Sequence, residues 1–139
     1  MREYLKKMFL VVLGIIISSS INVFAQDNPL FVTITANSCF TCQKLKPVIE
    51  ELEYEYGDRI KFVTLDVSSK SSIDFSKQMA EELEISEFFV KNMYAVPRVG
   101  IICPGGGKVE QIFIGETNKN IYKESIENLL LDSHRLCSL

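Results

Sequence analysis

The sequence predicts an α/β fold in the order β-α-β-α-β-β-α, built on a central mixed sheet. Three observations carry this. Short runs rich in β-branched residues alternate with longer segments of helical period. The second of these runs is apolar at both parities, as in a strand covered by helices on both faces. The last two are separated only by Pro104-Gly105-Gly106-Gly107, a turn that folds them into a hairpin.

Leu30 to Ala36 (LFVTITA) is the first strand. Asn37 and Ser38 break it, and Phe40 to Tyr56 follows with Leu45, Val48, Ile49, Leu52 and Tyr56 on one helical stripe. Glu50, Glu51, Glu53 and Glu55 take the opposite face, Pro47 interrupts the helix interior, and Gly57 is the expected stop. Ile60 to Val67 is the second strand. Ser68 to Ser72 reads as a polar break. Ile73 to about Val90 reads as helix, with Phe75, Met79 and Leu83 as its stripe. Ser86 is a candidate cap for a second short helix ending at Asn92. Val96 to Cys103 and Lys108 to Ile114 form the hairpin, which Gly115 ends. Thr117 or Asn118 caps the last helix, whose buried stripe is Tyr122, Ile126, Leu129 and Leu130.

The 139 residues suit one domain, and 47% apolar with 24% charged residues is a globular balance. A net charge of −3 gives no basic footprint for nucleic acid. The sole histidine, His134, argues against multi-histidine metal sites and reads as a solvated residue. Arg2, Lys6 and Lys7, the apolar run Met8 to Ile17, and Val23-Phe24-Ala25 before Gln26 form the three parts of a secretory signal peptide. The expectation is a signal peptide at 1–25 and a single domain at 26–139. Its destination is secreted or extracytoplasmic, the periplasm if the source is bacterial. An uncleaved membrane anchor is the alternative. Cleavage leaves 114 residues and removes three basic and one acidic side chain, moving the net charge from −3 to −5. A domain of that size can bury a core without disulfide staples, so its four cysteines are free for other work.

Cys39-Phe40-Thr41-Cys42 lies between a buried strand and a helix. Unpaired N–H groups and partial positive charge at a helix N-terminus stabilise a thiolate. Cys39 is therefore the candidate nucleophile. Cys42, one turn on, is the candidate resolving thiol of a Cys39–Cys42 redox pair. A second such pair, which a structural zinc site would ask for, is absent, and no metal is expected. Inert thiols or a structural bridge are the plainer alternative.

Strand, CxxC, helix, strand, helix, Pro-led strand, hairpin and helix together resemble the thioredoxin-like family across about residues 30–131. Pro47, five residues after Cys42, sits where that family often has a helix-kinking proline. Val96-Pro97 sits at its cis-proline, and Gly115 closes the last strand as expected. The resemblance implies a cis Pro97, a Val96 backbone that pairs with substrate peptide, and thiol–disulfide exchange on proteins. Departures are local. Ser38 replaces the tryptophan usual before the first cysteine, and there is no Trp in the chain. Thr33 replaces the acid that thioredoxins bury six residues before that cysteine. Phe40-Thr41 replaces Gly-Pro, the usual first N-terminal strand is missing, and the segment between Val67 and Pro97 is longer.

Arg98, beside Pro97, is a candidate for biasing the site toward acidic substrates, or a solvated strand residue. Phe88, Phe89 and Tyr94 are read as core, with an apolar surface near the cysteines as the alternative. Cys103 and Cys137 should lie at the pole opposite the CxxC, where a structural disulfide is one option and two free thiols the other. No cofactor is expected, since no nucleotide fingerprint is present. Electrons would then pass through an upstream thiol or disulfide partner, and the substrates would be protein thiols and disulfides. The competing function is a non-catalytic module of the same fold that holds a client protein.

Overall fold

Leu30–Thr35 forms β1, and all but its last residue are buried. A strand buried on both faces must be covered on both, and the rest of the chain does this. The computed structural model describes residues 28–105 and 108–137. The proposed signal segment and Gly106 and Gly107 lie outside the described residues, as does the His134 side chain. The other strands are β2, Lys61–Asp66, β3, Arg98–Ile102, and β4, Val109–Ile114. The helices are α1, Phe40–Tyr56, α2, Lys70–Glu82, α3, Ser86–Asn92, and α4, Lys119–Leu136.

The sheet order is β2-β1-β3-β4. β1 is parallel to β2, from Leu30 opposite Lys61 to Thr35 opposite Asp66. β3 is antiparallel to β1, with Ile34 opposite Arg98 and Leu30 opposite Ile102. The hairpin partner β4 is antiparallel to β3 and slips register between Ile101 and Ile102. This is the mixed sheet expected.

Alternation along β1 divides the core. Leu30, Val32 and Ile34 join Val63, Leu65 and Ile102 against Ala80, Ile85, Phe88, Phe89 and Met93 of the α2–α3 layer. Phe31 joins Val99, Ile101 and Phe113 against Leu45 and Leu52 of α1 and Tyr122, Ile126 and Leu129 of α4. In that second layer Tyr122 meets Phe31 and Phe113 edge-on, at centroid separations of 5.5 and 4.9 Å. A polar clasp ties α1 to α4. Lys119 binds Glu51 and Glu55, Lys123 reaches Glu55 at 3.0 Å, and the Tyr56 hydroxyl donates to Glu127 at 2.8 Å.

The region between β2 and β3 differs from expectation in four ways. The helix begins at Lys70, inside the presumed polar break, because Ser69 and Ser72 form a reciprocal capping box. The chain then breaks at Glu84, whose φ is 58°, so the first helix stops at Glu82 and does not run on to about Val90, while the second short helix ends at Asn92 as expected. Ser86 does not cap the second; Ile85 holds that position, with no side-chain bond. The buried stripe of α2 is also rotated. Phe75 is 64% exposed, while Ser76 and Ala80 face inward. Ser76 tolerates burial because its hydroxyl donates to the Asp66 carbonyl at 2.9 Å, completing the end of β2.

α1 passes through Pro47 and stops at Gly57. At α4, Asn118 rather than Thr117 is the cap, its Oδ1 accepting the Asn120 N–H at 3.0 Å. α4 bends at Asp132, where φ and ψ are −124° and 23°.

Candidate active site

β1 delivers the chain to a tight turn, closed by the Cys39 N–H donating to the Ala36 carbonyl at 3.1 Å. Cys39 is extended and occupies the N-cap of α1. Its Sγ does the work usually given to a Ser or Asp oxygen, accepting the Cys42 N–H at 3.1 Å. The first turn of α1 holds no acidic side chain to oppose a thiolate there. Cys39 is half-buried and Cys42 only 5% exposed. The two are joined in a disulfide, with Cα atoms 5.2 Å apart. The pair thus has an outer sulfur that a substrate can approach and an inner one that it cannot. Phe40, 69% exposed, stands beside them with the Lys44 ammonium 4.6 Å from its ring centroid.

The opposition of Ile34 and Arg98 places Val96 and Pro97 beside the end of β1 from which the cysteine turn departs. The Val96–Pro97 bond is cis. The Pro97 carbonyl accepts the Gly115 N–H at 3.1 Å, anchoring this corner to the end of β4. Arg98 is folded back on the chain, its Nε donating to the Ala95 carbonyl at 3.0 Å, so it braces the loop before Pro97. Phe88 and Phe89 are core residues, 4% and 0% exposed, whereas Tyr94 is 87% exposed. Phe88 lies against Gly100, where a Cβ would sit 2.5 Å from the ring.

Two features went unnoticed in the sequence. The first is a tie between loops. Ser68 donates from its N–H (2.8 Å) and its hydroxyl to Asp66 Oδ1, and its Oγ accepts the Asn37 N–H at 2.7 Å. Gln43 closes the other side, donating to the Asn37 carbonyl at 3.1 Å. The local signal was Asp66 two residues before Ser68, a side-chain-to-backbone turn pattern. The second is an open groove of about 530 Å³ between α1 and β2, lined among others by Thr33, Cys42, Lys46, Glu50, Thr64 and Asp66. Only the substitution at Thr33 hinted at it.

Cys103 and Cys137 form a second disulfide, Cα atoms 5.4 Å apart. It sits at the opposite pole, since Cys103 follows the end of β3 that pairs with the start of β1. Lys108 reinforces it, donating to the Leu136 carbonyl at 2.7 Å and pairing with Glu110 at 2.8 Å. Among the described residues no cluster of His, Cys, Asp and Glu is arranged to hold a metal, and no helix is long and apolar enough to cross a membrane.

The family model described as Thioredoxin matches residues 19–127. The thiol:disulfide interchange protein TxlA of Synechococcus elongatus is 27% identical over 106 residues, covering 76% of this chain and 49% of that protein. Thioredoxin C-2 of Corynebacterium nephridii is 38% identical over 48 residues, 34% of this chain and 44% of that protein. The chain therefore matches about half the length of each of these relatives or less.

Proposed function

The chain belongs to the thioredoxin family, and from that we propose that it is a thiol–disulfide oxidoreductase acting on protein substrates outside the cytosol. The observation that carries the reading is the unequal pair at the head of α1. Cys39 is approachable and caps the helix with its sulfur, and Cys42 is buried behind it.

In the reduced protein the Cys39 thiolate, held by the Cys42 N–H and the helix end, attacks a substrate disulfide. One substrate sulfur leaves with the electron pair, and Cys39 carries the other as a mixed disulfide. Cys42 then attacks Cys39, the Cys39–substrate bond breaks, and the Cys39–Cys42 bridge seen here is formed. Run backwards, the same steps oxidise a substrate dithiol. Val96 and Pro97, beside the end of β1 that leads into the cysteine turn, offer the main chain against which an extended substrate segment lies. An upstream thiol or disulfide partner resets the pair.

The extracytoplasmic location is supported by the charged, apolar and small-residue regions of 1–25. It is also supported by a second disulfide remote from the reacting pair, of the kind that persists in oxidising compartments.

The test is Cys42→Ser. With the resolving sulfur gone, Cys39 should accumulate mixed disulfides with proteins of the exporting compartment, seen as reducible high-mass bands on non-reducing gels. Cys39→Ser should abolish both the bands and insulin reduction. If no adduct forms while Cys39 still takes up alkylating agents, the oxidoreductase reading gives way to that of a module that binds clients without exchange.

A further inference from the structure

We propose that Arg98 determines substrate specificity, its guanidinium receiving a carboxylate that the substrate carries close to its reacting cysteine. The proposal rests on the roles given above to the cysteine pair and to the Val96–Pro97 main chain. It starts from how the arginine is held. Its Nε donates to the Ala95 carbonyl at 3.0 Å, so the side chain loops back past the cis Val96–Pro97 bond. Arg98 is half-buried and Ala95 is exposed, which brings the charged head to the surface beside the segment that substrate would occupy. A guanidinium bound through Nε keeps its far edge, the two Nη groups, for a planar acceptor such as a carboxylate. Its plane is fixed in advance, so little freedom is lost when that acceptor arrives.

The surroundings leave that edge to a ligand. In the sheet Arg98 stands opposite Ile34 of β1 and Ile114 of β4, both apolar. The carboxylates of Asp66 and Glu116 lie at the same end of the sheet, and other donors hold them. Asp66, at the end of β2, accepts the Ser68 N–H and hydroxyl. Glu116, just past β4, accepts the Thr117 and Asn118 N–H groups on Oε1, at 2.7 and 2.6 Å. Among the described residues no ion pair includes Arg98. A second cation belongs to the other face of the sheet. Lys44 of α1 lies over the ring of Phe40, beside the cysteines, and it too is outside those ion pairs. The chain as a whole has a net charge of −3, so attraction for a carboxylate belongs to this end of the molecule and not to its overall field.

The preferred substrate is therefore a protein segment with Asp or Glu within two residues of its disulfide-bonded cysteine. Extended chain advances about 3.3 Å per residue, which keeps such a side chain within reach of an arginine adjoining the binding segment. Arg98 touches the substrate and none of the reacting sulfurs. It stabilises the encounter and the mixed disulfide, and the exchange steps are those already described.

The test compares peptides that differ in one side chain. Each has a single cysteine blocked as a pyridyl disulfide, whose leaving group is uncharged, with Glu, Gln or Lys at one of the two positions on either side. Protein with a reduced Cys39–Cys42 pair attacks the peptide sulfur, and release of thiopyridone gives kcat/KM. At one or more of these positions wild type should prefer Glu to Gln by about fivefold, the upper end for an exposed ion pair, and should disfavour Lys. Added salt should shrink the preference. Arg98→Gln should abolish it, and Arg98→Lys, which keeps the charge without the fork, should retain part of it. The ratio is the readout because loss of the brace on Ala95 alone would slow all peptides alike. Equal rates for Glu and Gln at every position overturn the proposal, and so does an Arg98→Gln protein that is slower on all peptides but keeps the wild-type ratio. If Arg98→Gln does not fold, salt decides: a wild-type preference that salt leaves unchanged overturns the proposal. Wild type that releases thiopyridone from none of the peptides, while Cys39 still takes up alkylating agents, overturns the oxidoreductase reading itself.

Discussion

Removing the Cys103–Cys137 bridge should cost the protein much of its stability and none of its exchange chemistry. The two residues are 34 apart in sequence. Closing a loop of that length in the unfolded chain is worth about 4 kcal/mol in the chain-entropy treatment. For a domain of this size that corresponds to a fall in Tm of about 15 °C. α4 bends at Asp132, and among the described residues beyond the bend the chain is held by the bridge, by Lys108 on the Leu136 carbonyl and by partial packing of Leu136 and Cys137. The double variant Cys103→Ala/Cys137→Ala suits the test, because Cys103 is 2% exposed and alanine adds no polar atom there. Urea and thermal denaturation measure the loss. Insulin reduction, assayed well below the variant's Tm, should stay at the wild-type rate, since the reacting pair lies at the other pole. A loss below about 1 kcal/mol would refute the reasoning, because it would mean that the bridge restrains little of the unfolded chain. An equal fall in reduction rate would refute the separation of the two poles.

Three further outcomes follow from the packing. Gly100→Ala should destabilise by about 1–3 kcal/mol in urea denaturation, since the new Cβ would sit 2.5 Å from the Phe88 ring and α3 would have to shift. Tyr122→Phe should cost on the order of 1 kcal/mol, because its hydroxyl donates to the Glu116 carbonyl at 2.7 Å. The Lys119 and Lys123 ammonium groups hold the Glu55 carboxyl below its ordinary value. Its contribution is therefore present above the usual carboxylate range and fades as pH falls through the lowered value. In Lys119→Met, an NMR titration of Glu55 should move upward toward the ordinary value, and an unchanged curve would show that Lys119 does not set it.

The strands were legible because each carries its own periodicity and because proline and glycine mark their ends. Leu30 to Thr35 is apolar enough to require two covering layers, and it has them. The α2–α3 region was not legible in the same way. Ser69 and Ser72 look like a break in isolation and become a cap only when their side chains bond reciprocally. Ser76 looks like a surface residue until the Asp66 carbonyl is placed above it, and Phe75 looks like core until that bond rotates the helix. At the site, the cysteine pair and Pro97 could be located from spacing and order. The Asp66–Ser68–Asn37 tie and the groove over Thr33 join segments about thirty residues apart, and the local Asp66–Ser68 pattern gives no sign of the distant Asn37 partner.

The position of β1 bears on how the site behaves when the molecule breathes. β1 is hydrogen-bonded to strands on both sides and buried against helices on both faces, so its amides are released from exchange protection only by near-global opening. β4 is an edge strand, and the end of α4 lies beyond a bend, so both can open locally at lower free energy. Cys39 hangs from the end of the first kind of segment, not the second. The geometry of the outer sulfur should therefore survive excursions that loosen the far hairpin and the C-terminal turn, and the redox pair should be among the last features lost as the protein unfolds.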